Sequence, residues 1–193
     1  MTLNQKLQEA VNRLSIFDVT LKVLNANLSD NFDLDVALEG DELSLQTVFP
    51  TCRAIKQYEG SGEDQGKHRV VFEMFAGLRV LHSSEVNPQE LSSEAISELV
   101  CATVECHFLV KYDFAVDSTN LPLDDECLSQ FAQHNVPFNV WPYWREIVQS
   151  ACSRMGLPRI VLPPHRLRKS ATLKSEVTPA ILTTTANEKD HRD

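Results

Sequence analysis

Alternation of apolar and other side chains over residues 99–116 constrains the fold more than any other feature. Every even position in this segment is apolar, and the odd positions include the polar residues of the segment. Successive side chains of a strand point to opposite faces, so one face of this strand is wholly apolar. Strands usually have ~5–6 residues, so this one is unusually long. The pattern predicts a long antiparallel strand, half buried, with an apolar face comprising Val100, Ala102, Val104, Cys106, Phe108, Val110, Tyr112, Phe114 and Val116.

Three further segments alternate in the same way and predict partner strands. They are residues 16–24, 43–58 with a bend near Pro50, and 68–82. Residues 32–38 also alternate, but Gly40-Asp41 breaks their phase. A polar turn is expected over residues 60–66, and an exposed loop near Asn87-Pro88.

Helical spacing of apolar residues occurs at both ends of the chain. Residues 3–14 predict a short amphipathic helix. Residues 121–133 read as a connector with one or two helical turns within 124–133. The main helix is predicted over 142–155, because Pro142 suits a first turn and Gly156 suits a helix end. The sequence therefore predicts an α+β domain over residues 1–164, followed by a disordered tail over 165–193.

Composition and charge exclude several classes of function. The 193 residues carry a formal net charge of −9, which disfavours nucleic acid or an anionic membrane as the main ligand. No apolar run is long enough to cross a bilayer, and the first residues do not form a secretory signal. We therefore expect a cytoplasmic protein that binds no nucleic acid and inserts into no membrane.

Residues that could carry chemistry are scattered, so no enzyme, cofactor or metal is expected. Cys106 points to one face of the predicted strand and His107 to the other, and Cys101 is also separated from Cys106, which disfavours a zinc site. A thiol nucleophile at Cys127 assisted by His134 is the enzymatic alternative. On a helix these residues lie two turns apart, ~10 Å along the axis, too far for direct proton transfer.

Five of the fourteen aromatic residues lie within fourteen positions. They are Phe131, Phe138, Trp141, Tyr143 and Trp144. One interpretation is that they fasten the connector and the helix to the sheet. The other is that they wall a groove, because aromatic side chains bind apolar segments with little demand on sequence.

The segment Val140-Trp141-Pro142-Tyr143-Trp144-Arg145-Glu146, followed by Ser153-Arg154, Leu157-Pro158 and Leu162-Pro163-Pro164, resembles the SecB export-chaperone family. The resemblance implies a four-stranded antiparallel sheet packed on a long helix, and assembly as a homotetrameric dimer of dimers. It also implies a holdase, which binds unfolded preproteins in apolar grooves without ATP and passes them to the SecA motor.

The same resemblance implies roles for individual residues. Clients would contact the groove near the helix entry, at Phe131, Phe138, Val140, Trp141 and Trp144. The entry itself and the oligomer core would be shaped by Pro142, Tyr143, Arg145 and Glu146.

Three features depart from the export chaperones. The helix over 3–14 is additional and is similar to that of SecB-like chaperones linked to toxin–antitoxin systems. The segment Glu105-Cys106-His107-Phe108 lacks paired glycines. The tail 165–193 has six Lys and Arg against four Asp and Glu, and does not resemble a SecA-docking tail. An antitoxin therefore remains an alternative client, and a structural assembly protein without clients remains an alternative function.

Overall fold

Long antiparallel strands form one sheet in the computed structural model, and one long helix packs against it. The described residues are 3–30, 32, 43–59, 68–82, 93–114, 123–163 and 177–178. In chain order the elements are α1 (Leu3–Arg13), β1 (Ser15–Leu28), β2 (Leu43–Glu59), β3 (His68–His82), α2 (Ser93–Leu99), β4 (Val100–Phe114), α3 (Asp125–Arg154) and β5 (Val177–Thr178).

The sheet has the strand order β1-β4-β3-β2-β5, and all pairings are antiparallel. The alternation of β4 is confirmed, because its even positions from Ala102 to Phe114 are buried. Their neighbours in β3, from Val70 to Val80 at every second position, are buried on the same face. This face, which we call the inner face, packs against α3 and forms the core.

The three predicted partner strands are confirmed, with changes at their ends. β1 continues to Leu28, four residues beyond the predicted end at residue 24. β2 shifts register between Val48 and Thr51, where Pro50 cannot donate a ladder hydrogen bond. The bend expected near Pro50 therefore occurs as a bulge in the pairing with β3.

The main helix begins seventeen residues earlier than predicted, at Asp125 rather than Pro142. Asp124 caps it, and its side chain accepts a hydrogen bond of 2.7 Å from the backbone N–H of Cys127. Pro137 and Pro142 lie in the helix interior. Each removes a backbone hydrogen bond and costs about 3 kcal/mol relative to alanine. Burial of an apolar stripe along the whole helix offsets that cost, with members Cys127, Leu128, Phe131, Ala132, Val136, Val140, Trp144, Val148, Ala151 and Cys152.

The predicted end of this helix at Gly156 is confirmed. Gly156 has φ 75°, a left-handed conformation that favours glycine. Leu157 N–H donates to Cys152 C=O and Gly156 N–H to Ser153 C=O, which closes the last turn. The chain then returns with Leu157, Ile160 and Leu162 buried in the core.

α1 packs against the start of α3 and confirms the predicted N-terminal helix. Ala10 and Leu14 are buried in the core. Lys6 forms ion pairs with Asp124 and Glu126, so one lysine joins α1 to the first turn of α3.

Two residues of the tail contradict the prediction of disorder, because Val177 and Thr178 pair with Gln46 and Leu45 of β2. The rest of the tail, the turn over 60–66, the loop at Asn87-Pro88 and the alternation over 33–38 lie outside the described residues. Within the described ranges, no helix is long and apolar enough to cross a membrane.

We expect the Asp124→Ala variant to be less stable at neutral pH than the unmodified chain. The capping hydrogen bonds from Cys127 and the contact with Lys6 lower the pKa of Asp124 to about 2. A carboxyl with a depressed folded-state pKa stabilises the fold above its unfolded pKa of ~3.9, and this contribution disappears as pH falls towards 2. Urea unfolding measured from pH 7 down to pH 2 should show the difference shrinking over that interval.

Asp124→Asn is the matched control, since it keeps a capping oxygen and loses only the charge. Its loss of stability should be the smaller of the two. A difference between Asp124→Ala and the unmodified chain that stays constant down to pH 2 would contradict this account of the cap.

Candidate polypeptide-binding surface

Three of the aromatic and apolar residues predicted to contact a client belong to the core instead. Phe131, Val140 and Trp144 are almost fully buried. The Phe131 ring packs edge-on to Tyr112, with centroids 4.9 Å apart. The helical spacing of these residues directs them to the inner face of the sheet. The prediction that they wall an accessible groove is therefore wrong for this chain, because no surface of them remains for a client.

The other two predicted client contacts lie on the outside of α3. Phe138 is 51% exposed. Trp141 is partly exposed, and its indole N–H donates a hydrogen bond of 2.8 Å to Pro163 C=O. Trp141 thus holds the returning segment 157–163 beside the helix, which connects two parts of the sequence motif. A client contact at Phe138 and Trp141 stays a prediction.

The residues predicted to shape the oligomer core are mostly on the surface of the single chain. Pro142 and Glu146 are exposed, and Tyr143 is 50% exposed. Arg145 is partly buried, and its Nε has no hydrogen-bond partner among the described residues. The role in assembly itself stays a prediction.

Among the described residues, β1 has the most exposed large apolar side chains of any element, although the sequence indicated it only as one more strand. Six large apolar side chains of this strand are between 40% and 53% exposed. They are Ile16, Phe17, Leu21, Val23, Leu24 and Leu28. Alternation predicted the strand but not this exposure, because the pattern is the same whether or not another element covers the face.

Four of these side chains form a row on the inner face, which we call the β1 strip. Ile16, Leu21, Leu24 and Leu28 stand opposite Tyr112, Phe108, Cys106 and Ala102 of β4, all of which are buried. The strip is therefore a direct extension of the core surface. α3 packs mainly over β2, β3 and β4 and leaves it uncovered. The strip lies opposite ten residue steps of β4, from Ala102 to Tyr112, which at ~3.3 Å each give it a length of about 33 Å.

The backbone of β1 adds a second feature to the same surface. β1 is the first strand in the sheet order, and β4 is its partner among the described strands. The outer backbone groups of an edge strand form a template on which an extended segment can add as a further strand. Register shifts between Ile16 and Asp18 and between Leu21 and Val23 interrupt the edge. The segment 24–28 pairs regularly, so it is the best place for such an addition.

Thiol chemistry finds little support in the described residues. All five cysteines are free, and four of them are buried. Burial raises the pKa of Cys127 and of Cys152 to about 11, and that of Cys106 to about 12. A thiol with so high a pKa is not a nucleophile at neutral pH, which argues against the Cys127–His134 alternative. The described side chains include no group of three or more His, Cys, Asp or Glu residues placed to hold a metal ion.

The structure is similar to that of a SecB-like chaperone from Mycobacterium tuberculosis, which was solved in complex with a ChAD peptide from the HigA1 antitoxin. The likeness covers 85% of this chain and 98% of the other, with a TM-score of 0.56 and 18% sequence identity. It shows that this chain has the SecB-like fold, as the motif from Val140 to Glu146 indicated. No family model and no curated protein sequence matches the chain.

We expect Trp144→Ala to cost about 3–5 kcal/mol of unfolding free energy, because it opens a cavity in the core. Phe138→Ala should change the unfolding free energy by no more than about 0.5 kcal/mol, since half of its ring is already in water. Urea titrations followed by circular dichroism measure both values. Similar losses in the two variants would contradict the division of the aromatic cluster into core and surface.

Proposed function

We propose that this chain is an ATP-independent holdase chaperone, which binds unfolded polypeptides along the β1 strip. The observation that carries the proposal is a row of half-exposed leucine and isoleucine side chains that continues the core face to β1, the edge strand of the described sheet. Contiguous apolar surface of this kind is rare on monomeric proteins and marks sites of protein interaction. The SecB-like fold supports the same function.

The geometry of the strip suits extended clients of little sequence specificity. Apolar side chains of a client would cover Ile16, Leu21, Leu24 and Leu28, while its backbone adds to the edge at residues 24–28. Backbone pairing supplies affinity without sequence preference, and the apolar row accepts any large aliphatic or aromatic side chain. Phe138 and Trp141 on α3 are candidates for a second contact with the same client.

We expect the double variant Leu21→Ser/Leu24→Ser to bind an unfolded client ten- to thirtyfold more weakly. Burial of two half-exposed leucines contributes about 1 kcal/mol each, and 1.4 kcal/mol corresponds to a factor of ten. The assay is suppression of light scattering when guanidinium-unfolded citrate synthase is diluted into buffer without nucleotide. Val161→Ser, which changes a similarly exposed apolar residue elsewhere, is the matched control and should hold the client normally.

Two outcomes would overturn this proposal. One is full suppression by Leu21→Ser/Leu24→Ser together with loss of suppression in Phe138→Ser, which would move the site to α3. The other is the absence of suppression by the unmodified chain at severalfold excess. Light scattering of the variants without client tests the alternative function, a structural assembly protein that binds no client. A change in assembly with unchanged holding would mean that the strip serves only self-association.

A narrower proposal concerns the client, and there are two candidates. The SecB-like neighbour was solved with an antitoxin peptide, and α1 is the additional helix that suggested this branch from sequence. An antitoxin is therefore our first candidate, and exported preproteins handed to SecA are the second. A toxin–antitoxin gene pair beside this gene, with tight binding of that antitoxin, would favour the first. A stable complex with SecA in a light-scattering titration would favour the second.

We also propose that the chain assembles into a homo-oligomer, with a dimer of dimers as the expected form. The exposed side chains of Pro142, Tyr143 and Glu146 on α3 support a contact between chains that is separate from the β1 strip. Mass measurement by light scattering tests this proposal.

A further inference from the structure

The sheet face opposite α3, which we call the outer face, has a different charge from the rest of the chain. Register places on it the residues that alternate with the core positions. Among the described residues of this face, cations outnumber anions, although the whole chain carries a formal net charge of −9. The cations are Lys22, Arg53, Lys56, Arg69, Arg79 and Lys111, and the anions are Asp18, Glu73, Glu105 and Asp113.

Most of the anions on this face are occupied by neighbouring cations. Asp113 Oδ1 lies 2.6 Å from Arg69 Nε, and Asp18 Oδ2 lies 2.9 Å from Lys111 Nζ. These two pairs are neutral, so the surplus positive charge of the face comes from Lys22, Arg53, Lys56 and Arg79, set against Glu73 and Glu105.

The centre of the outer face is a cluster around Glu73. Arg53 Nη2 donates to Glu73 Oε2 at 2.8 Å, and Lys22 Nζ lies 3.9 Å from Oε1. His107 Nε2 lies 2.7 Å from Oε1, in a contact without hydrogen-bond geometry. The hydrogen bond from Arg53 and the nearby positive charges lower the pKa of Glu73, so it stays ionised. Two permanent cations share one carboxylate, and their side chains are 74% and 51% exposed for Arg53 and Lys22.

An apolar patch adjoins this cluster. Phe75 is 44% exposed and stacks on His107, with ring centroids 4.1 Å apart. Val23 of β1 stands opposite His107 of β4. Val48 of β2 stands opposite Gly77 of β3, and a Cβ atom added at Gly77 would lie 3.2 Å from Val48 Cβ. Phe75, Val23 and Val48 together form an exposed apolar band across the sheet, bordered by Arg53 and Lys22.

We propose that the outer face is a second docking surface, which binds an acidic, extended polypeptide segment with interspersed apolar side chains. Apolar side chains of the segment pack on Phe75 and Val48, and its carboxylates pair with Arg53 and Lys22. Charge complementarity selects this partner: the basic face of an acidic chain attracts anionic segments while the remaining surface repels them. The site is independent of the β1 strip, which lies on the inner face.

A polypeptide fits this surface better than a nucleic acid. Double-stranded DNA carries one charge per ~1.7 Å, and its binding requires a continuous row of cations. Glu73 and Glu105 interrupt the cations here, and they would repel so dense a row of phosphates. A peptide has fewer charges, and it offers the apolar side chains that Phe75 requires.

The test uses a fluorescein-labelled peptide of alternating Glu and Phe or Leu residues, with fluorescence anisotropy as the readout. We expect saturable binding that weakens as ionic strength rises above ~0.15 M, because salt screens exposed charges. The double variant Arg53→Glu/Lys22→Glu should bind the peptide at least tenfold more weakly. Arg154→Glu, an exposed charge reversal on α3, is the matched control and should bind normally.

Because Arg53→Glu removes a partner of Glu73, Phe75→Ser provides a second variant that leaves every charge in place. It should weaken the peptide at least threefold while the melting curve shows a folded chain. Equal affinity for a Lys-containing analogue of the peptide, or for a single-stranded oligonucleotide of the same length, would overturn the proposal. So would normal peptide binding by both outer-face variants.

The proposals for the two docking surfaces can be tested independently. Leu21→Ser/Leu24→Ser should bind the acidic peptide with unchanged affinity, whereas Arg53→Glu/Lys22→Glu should still suppress aggregation of citrate synthase. Loss of aggregation suppression in the unmodified chain would remove the holdase proposal and leave the outer face untouched. Acidic-peptide binding that disappears in Leu21→Ser/Leu24→Ser would overturn the outer face as a separate site.

Discussion

Incomplete cover of the sheet by α3 determines the rest of this structure. The helix packs over β2, β3 and β4, and its apolar stripe from Cys127 to Cys152 matches the inner-face residues of those strands. β1 belongs to the same sheet and carries the same kind of apolar row, but it lies at the edge that α3 leaves uncovered. A fold that buries three long strands and exposes the inner row of the fourth has an apolar surface to bind with and a stable core to support it. The holding of unfolded chains that we propose rests on that division, because exposure at β1 does not disturb the packing beneath α3.

The residues of the motif from Val140 to Pro163 mainly hold the fold together. Trp144 and Val140 fasten α3 to the sheet, Trp141 holds the returning segment at Pro163, and Leu157 and Leu162 complete the core. Two prolines inside α3 are tolerated because long apolar contacts outweigh the lost backbone hydrogen bonds. The sequence motif thus indicates the fold, and the surface that we propose for clients lies on β1, where the sequence pattern is ordinary. The outer face adds a charge pattern that neither the motif nor the fold requires.

Strands were predictable from the sequence to the extent that periodicity records which side of a strand is buried. The even positions of β4 alternate without interruption, and the structure buries them from Ala102 to Phe114. The continuity of α3 from Asp125 to Arg154 was not predictable from the same kind of reasoning. Pro142 is favourable in a first turn, so it suggested a separate beginning, whereas the acidic residues Asp125 and Glu126 after the N-cap indicated only the one or two helical turns predicted within 124–133. The exposure of Leu21 and Leu24 was hidden for another reason: local sequence does not record which strand a helix will leave uncovered. The burial of Phe131 was not predictable because it depends on the helix being continuous through this residue.

Amide hydrogen exchange along β1 tests the central claim most directly. The measurement compares the chain alone with the chain bound to an unfolded client, and it follows the amides of residues 24–28 and the side of β1 away from β4. We expect these amides to exchange more slowly when the client is bound, because its backbone pairs with the edge and its side chains cover the strip. Amides in the interior of α3 and β4 should not change. Unchanged exchange along β1, with new protection confined to the surface of α3 around Phe138, would contradict the account.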